Sequence, residues 1–295
     1  MSTSRALSYS AVQPRKASLV RPRTVSTVIG YAVLIVFCAL FILPVVWLFI
    51  TSLKDETEYA AWPIHWWPNE VQLVNYWLAV TMIPFAKYLW NSLALASIHT
   101  VLVQFSSALA GFAFARLPGK HKQFLFTLIL ATMMVPAVVT IIPQFVIYGQ
   151  IGLVGTWWPW ILWGLVGQPF HIFLFRQFFA SIPVELEEAA EVDGCSPFRI
   201  FWQIFVPNSW GAIAASSIFS FQWVWGDWFF PIIFLSEDNT TLAVKLATGY
   251  LNPHGVRLVT PQVAATMIYI LPLIIVFFFA QKHIIQGIVT TGIKG

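Results

Sequence analysis

The sequence predicts an all-α integral membrane protein of six transmembrane helices, and three observations carry that expectation. Hydrophobic residues make up 58% of the 295 positions and charged residues only 9%, far less charge than a water-soluble fold of this size places on its surface. The apolar residues fall in six long runs, each near the roughly 20 residues a helix needs to cross a bilayer while satisfying its own backbone. Lysine and arginine gather on alternate connections between those runs, as they do on cytoplasmic flanks.

In order, the runs are Thr27 to Ser52, Tyr88 to Ala115, Phe124 to Tyr148, Pro159 to Phe179, Ser209 to Leu235 and Val263 to Lys282. They set out a basic tail over 1–26, a transmembrane domain over 27–282 and a C-terminal tail over 283–295. The first tail is rich in Ser and Arg and lacks acids, a composition shared with transit peptides. The apolar run behind it is too long for a signal-peptide core and ends in Thr51-Ser52-Leu53-Lys54, so an uncleaved signal anchor is expected.

Placing the N-terminus inside puts twelve cations on the cytoplasmic side: Arg5, Arg15, Lys16, Arg21, Arg23, Arg116, Lys120, Lys122, Arg176, Arg199, Lys282 and Lys294. Lys54, Lys87, Lys245 and Arg257 are left outside. Both termini and the polar loop over 181–207 are therefore expected in the cytoplasm. The net charge of +4 follows from this asymmetry and gives no nucleic-acid surface. Cys38 within the first span and Cys195 in the loop predict neither a disulfide nor a cysteine metal site.

Small residues repeat every fourth position at Ser107, Gly111 and Ala115, and again at Ala212, Ser216 and Ser220. That spacing lets helix backbones approach closely in a bundle interior. Prolines 44, 136, 143, 169, 231 and 272 interrupt or bend most spans, which is tolerated where protein or a water-filled cavity satisfies the freed carbonyls. Trp62, Trp66, Trp67, Trp157, Trp158 and Trp160 suit an interfacial aromatic belt, with stacking on a sugar ring the sharper alternative. His99 and His171, each alone among apolar residues, read as hydrogen-bonded packing residues.

Asp227 is the ionisable residue of most interest within the spans. A carboxylate near a helix centre costs about 2.5–3.5 kcal/mol on insertion scales, so it faces a cavity, a partner or water. In the stretch Gln222 to Pro231, glycine and proline can unwind the helix around it. Asp227, Trp225 and Trp228 are therefore candidates for the translocation pathway or its gate; equally, Asp227 lies near enough to the outer interface to be hydrated.

The 181–207 loop reads as two short helices at an angle. Ser181 is expected to cap the first, with Pro183 near its start and Glu185 and Glu187 at the positive end of its dipole. Gly194 supplies the stop, Ser196 and Pro197 the second cap and first turn, and Pro207 follows. Ala189 and Ala190, flanked by Glu188 and Glu191, form a small-residue patch able to enter a groove on another protein; a solvated hairpin on the membrane surface is the plainer reading.

This loop resembles the EAA motif of the integral-membrane subunits of bacterial ABC importers. Glu188, Ala189, Ala190, Gly194, Ile204 and Pro207 match, with Val206 where leucine is usual. The resemblance runs over nearly the whole chain. Ser52-Leu53-Lys54, Asn75-Tyr76, Asn91-Ser92, Ala113 to Arg116, Arg176 to Phe179, Gln281 to Gly287 and Gly292 to Gly295 are similar to the carbohydrate-uptake branch, in particular the smaller membrane subunit of maltose-type importers. It implies an ABC type I importer permease fold in the inner membrane of a prokaryote. Glu188, Ala189, Ala190, Asp193, Gly194 and Pro207 would couple to a separate ATPase. The implied partners are a second permease subunit, a dimer of ATP-binding subunits and an extracytoplasmic solute-binding protein, which the loop over 236–261 would probe. The membrane-embedded sugar contacts would lie mainly in the other permease subunit.

The chain has no G-x-x-x-x-G-K-[ST] phosphate loop, so ATP and Mg are assigned to the partner ATPase and no cofactor to this chain. No H-E-x-x-H or G-x-S-x-G motif points to a membrane protease or esterase, and no catalytic residue is assigned. An ABC permease for a non-sugar solute, such as a polyamine or a glycerol phosphoester, is the nearest alternative. A secondary transporter is further off, because Asp227 alone supplies an acid within the spans and no internal repeat stands out.

Overall fold

The computed structural model describes residues 24–292, with side chains at 27–279 and 281. Most of the basic tail, and the side chains of Lys282 and Lys294, lie outside the described residues. The chain divides into two compact units, residues 1–47 and 48–295. Helix α1 (Thr24–Ser52) supplies the described part of the first unit, and almost every side chain from Val28 to Val46 is exposed. An apolar helix bare on all sides suits lipid, where the backbone ladder leaves no unpaired group.

The second unit is organised along α4 (Phe85–Ala115), 31 residues and so about 46 Å of helix. The short α2 (Glu56–Tyr59) and α3 (Val74–Thr81) precede it. After it come α5 (Lys122–Thr132), α6 (Ala137–Gln150), α7 (Trp158–Val166) and α8 (Pro169–Ala180). The loop helices α9 (Glu185–Val192) and α10 (Pro197–Ile200) lead to α11 (Trp210–Gly226), α12 (Phe229–Phe234) and α13 (Leu242–Thr248). A two-stranded antiparallel hairpin, β1 (Tyr250–Leu251) with β2 (Arg257–Leu258), precedes α14 (Val259–Gly292). That last helix continues through most of the stretch assigned to the C-terminal tail.

Among the described residues, three helices are long and apolar enough to cross a membrane unaided: Thr27–Ser52, Phe85–Ala115 and Val259–Phe279. Two bent pairs, Lys122–Thr132 with Ala137–Gln150 at 94° and Pro197–Phe205 with Pro207–Gly226 at 44°, make five if each pair is one span. The third expected run is thus a sharply broken one. Pro136 has no N–H to donate and disfavours helical backbone at Val135, so the ladder stops at Met133 and restarts at Ala137. The fourth run divides at Gly167, whose φ of +78° ends α7, and restarts with Pro169 in the first turn of α8. The fifth divides at Asp227, which adopts extended backbone, and its Oδ1 accepts hydrogen bonds from the amides of Phe229 (2.9 Å) and Phe230 (3.2 Å) at the start of α12.

Three apolar clusters follow one another along α4. Phe85 and Tyr88 pack with Ala79, Leu242, Leu246, Tyr250 and Ala264 at one end. Leu95 and Ala96 meet Trp160, Phe221, Val224, Trp225 and Phe234 in the middle. Ala108 and Phe112 meet the 181–207 loop at the other end. Close helix approach comes from missing side chains: a Cβ on Gly111 would stand 2.6 Å from Phe175 Cβ in α8, and one on Gly164 2.8 Å from Leu102 Cβ.

Several residues that carry the family likeness turn out to stitch the first end of the unit together. Asn75 Nδ2 donates to the carbonyls of Ser52 (2.9 Å) and Lys54 (2.7 Å), while the Ser52 and Tyr76 hydroxyls are 2.8 Å apart. Asn91 Nδ2 donates to Thr240 O (3.0 Å), and Ser92 Oγ accepts from the Leu242 amide (2.8 Å). Glu56 accepts from the amide and hydroxyl of Thr260, pinning the start of α14.

Candidate functional site

The 181–207 loop joins α8 to α11. Ser181 closes α8, its hydroxyl donating to Phe178 O (2.7 Å), and does not cap the next helix. The reason is spacing: a capping serine sits directly before the first turn, and Ile182, Pro183 and Val184 separate Ser181 from α9. Glu185, Glu187 and Glu188 fill the first turn of α9, where the helix dipole favours acids. Gly194, at φ +77°, ends it; the Gly194 and Cys195 amides satisfy the carbonyls of Glu191 and Ala190. Ser196 caps α10 through the Arg199 amide, with Pro197 in the first turn. The expected second helix then widens into a π turn over Phe201–Phe205 and a 3₁₀ turn over Pro207–Ser209, because Pro207 has no amide hydrogen to continue the ladder.

The underside of the loop is apolar. Ala190, Ile200, Phe201 and Phe205 are buried against Phe112, Phe175, Phe179 and Ile182. Arg116, just past the end of α4, fastens it: its guanidinium donates to the carbonyls of Phe179 and Ile182, lies 3.6 Å from the Glu187 carboxylate and sits 5.2 Å from the centre of the Phe205 ring. This clamp was not singled out from the sequence, although an arginine closing an apolar run and an acid-rich turn were both visible. Of the predicted coupling residues, Glu188, Ala189, Asp193, Gly194 and Pro207 are exposed. Ala190 is buried and belongs to the seat of the loop. Val192 (88% exposed), Phe198 and Trp202 add apolar surface beside them.

A cavity of about 740 Å³ lies between α8, α11 and α14. Gln168, Phe170 and His171 line it from the start of α8, Gln222, Trp223 and Trp225 from α11, and Tyr269 from α14. Trp225 is buried and stacks on Tyr269 with ring centres 4.8 Å apart; the Tyr269 hydroxyl donates to Trp225 O. Trp225 is therefore a fixed wall. Asp227 is half-buried, its Oδ1 committed to the start of α12 while its Oδ2 is buried without a hydrogen-bond partner, and Trp228 is exposed; neither lines this cavity. The two histidines are buried and bonded, His171 Nδ1 to Ser216 Oγ (2.7 Å) and His99 to Trp160 O (2.8 Å) and the Gln168 amide (3.2 Å). Glutamines 168 and 222 were the signal available in the sequence: amides placed within apolar runs. Among the described residues no group of three or more His, Cys, Asp or Glu is placed to hold a metal.

Residues 107–290 match the model of the binding-protein-dependent transport system inner membrane component family. The chain is 30% identical over 269 residues to the lactose transport system permease protein LacG of Rhizobium radiobacter, covering 90% of this chain and 96% of that one. It is 31% identical over 274 residues to the arabinooligosaccharides transport system permease protein AraQ of Halalkalibacterium halodurans, covering 90% and 95%. Its fold matches a chain from the crystal structure of a bacterial ABC transporter involved in import of the acidic polysaccharide alginate, with a TM-score of 0.75 at 20% identity over 90% of this chain and 99% of that one. The chain therefore belongs to the family of binding-protein-dependent transport system inner membrane components, the non-catalytic permease subunits of ABC importers.

Proposed function

We propose that this chain is the permease subunit of a carbohydrate importer and that its 181–207 loop receives the stroke of a separate ATPase. One observation carries the mechanical half: the loop is the direct connection between α8 and α11, the two helices that supply most of the cavity wall. A force on Glu188 and Ala189 is passed through Arg116 and the phenylalanine seat to both walls at once. Coupling of this kind needs only different contacts in two states, not chemistry in this chain. The carbohydrate half rests on the relatives named for lactose and arabinooligosaccharide transport.

In this reading the loop and both termini face the cytoplasm and a second permease subunit completes the pathway. A dimer of ATP-binding subunits, which also holds Mg, docks on the exposed side of α9, and an extracytoplasmic binding protein delivers the sugar, probed by the 236–261 segment. Trp225 forms part of the pathway wall. Asp227 and Trp228 stand at the α11–α12 break, where Asp227 sets the direction of α12 at the gate. The test is ATP hydrolysis by the whole complex in proteoliposomes, which a sugar-loaded binding protein should stimulate. Lack of stimulation by every sugar tried would remove the carbohydrate assignment. Ala189→Arg, which places a long cation on the docking patch, should abolish the stimulation while the chain still reaches the membrane.

A further inference from the structure

We infer that the 740 Å³ cavity is a solute subsite belonging to this chain itself, and that it takes a neutral sugar in preference to a charged solute. The inference rests on the carbohydrate reading and goes beyond it, since the family resemblance places the membrane contacts mainly in the other permease subunit.

Phe219, Gln222, Trp223 and Gly226 all line the cavity and fall at i, i+3, i+4 and i+7 of α11, so one helix face supplies an amide between two aromatic rings, with bare backbone at its end. Gln222 is exposed and has no side-chain hydrogen-bond partner among the described residues. An amide so placed in a membrane helix faces water or a polar partner, because hydrocarbon offers nothing to bond. The break at Gly167 brings a second amide, Gln168, to the same cavity from α8, its Nε2 bonded to His99 and its oxygen without a side-chain partner among the described residues. Amides both donate and accept, which is what a ring of hydroxyl groups asks for, and the faces of Phe170 and Trp223 offer stacking to the apolar side of a sugar ring. The volume is in the range of small-molecule sites, about 300–1,000 Å³.

Charge decides the class. Among the described residues no Asp, Glu, Lys or Arg lines the cavity, and Nδ1 of the lining His171 is engaged by Ser216. A uronate, a sulfonate or a polyamine would find no counter-ion among the lining residues on leaving water, a cost that a neutral sugar avoids. Gln168 and Trp223 also line a second cavity of about 360 Å³ with Thr140, Gln144 and Trp163, so the same amide and aromatic chemistry continues beyond the first.

The experiment is uptake by proteoliposomes containing the complete importer and its loaded binding protein. The probes are lactose, sucrose, trehalose and arabinotriose, with digalacturonate and spermidine as charged counterparts. A neutral sugar should be carried and the charged probes refused. Gln222→Ala and Trp223→Ala should each lower maximal uptake of that sugar about tenfold, equivalent to one lost hydrogen bond or stacking contact. Gln222→Asn, which keeps an amide, should retain most of it, and all three complexes should be recovered in equal amount. A photoreactive derivative of the carried sugar should label α11 in the unaltered complex, a result that holds even if a variant fails to assemble. Transport of no carbohydrate overturns the carbohydrate reading as well. Transport of a neutral sugar at native rates by both alanine variants, with no label on α11, overturns the subsite alone, and transport of digalacturonate overturns the neutral preference.

Discussion

The guanidinium of Arg116 meets four needs at once: partners for two carbonyls, a counter-charge for Glu187 and a cation over the Phe205 ring. Burial pushes the Glu187 carboxyl above the usual carboxylate range, Arg116 pulls it part of the way back, and Glu191 and Glu188 push it up again. A carboxyl raised in this way binds its proton more tightly folded than unfolded. Its ionisation therefore costs stability as the pH climbs from the ordinary carboxylate value through the raised one, and below that window the cost is absent. Glu187→Gln should flatten this fall in the thermal unfolding of the complex as the pH rises above the ordinary carboxylate value, and leave the midpoint at neutral pH unchanged or higher. Arg116→Ala should do the opposite. It leaves a half-buried carboxylate without its counter-charge and two carbonyls unpaired, a loss of about 1–3 kcal/mol. Equal midpoints for Arg116→Ala and the native complex would show that the loop is seated without the clamp.

At the scale of elements, the helix pattern was legible where one apolar run stayed straight and illegible where it turned. The spacing of Ser107, Gly111 and Ala115 announced a close helix neighbour for α4, and Gly111 indeed lies against α8. Nothing in the run from Phe124 to Tyr148 announces a 94° turn, because apolar composition is the same on either side of Pro136 and a proline is equally compatible with a gentle kink. Pro44, Pro143 and Pro272 stay inside their helices. The two serines of the loop show the same limit in small. Ser196 touches its proline and caps; Ser181 does not, and closes the helix behind it. The α4–α8 contact gives a sharp prediction. Gly111→Val puts three carbons where 2.6 Å is available, so the helices must separate, an overpacking cost of about 1–3 kcal/mol. The complex should unfold at a lower temperature and lose coupling, since α8 carries both the loop and the cavity. Retention of the native unfolding temperature would mean that α4 and α8 do not pack this closely in the bilayer.

Across the whole molecule, the proposed coupling role of α9 depends on which way round the bundle sits, because it requires the side where ATP is. Loop charge favours the cytoplasm for 181–207 and the outside for 236–261, and the structure separates the two segments to different ends of α4. Two exposed valines provide reporters that leave both seats intact: Val192, 88% exposed beside Gly194, and Val256, 58% exposed in the hairpin turn. In a chain carrying Cys38→Ser and Cys195→Ser, Val192→Cys should react with a membrane-impermeant maleimide in inside-out vesicles only. Val256→Cys should react in right-side-out vesicles only. Adding the ATP-binding dimer should shield Val192→Cys and leave Val256→Cys untouched, since a docked partner covers the exposed face of α9 and reaches nothing at the far end. Labelling of Val192→Cys from the outer face would set the loop on the side without ATP, and the force path through Arg116 into α8 and α11 would have no source.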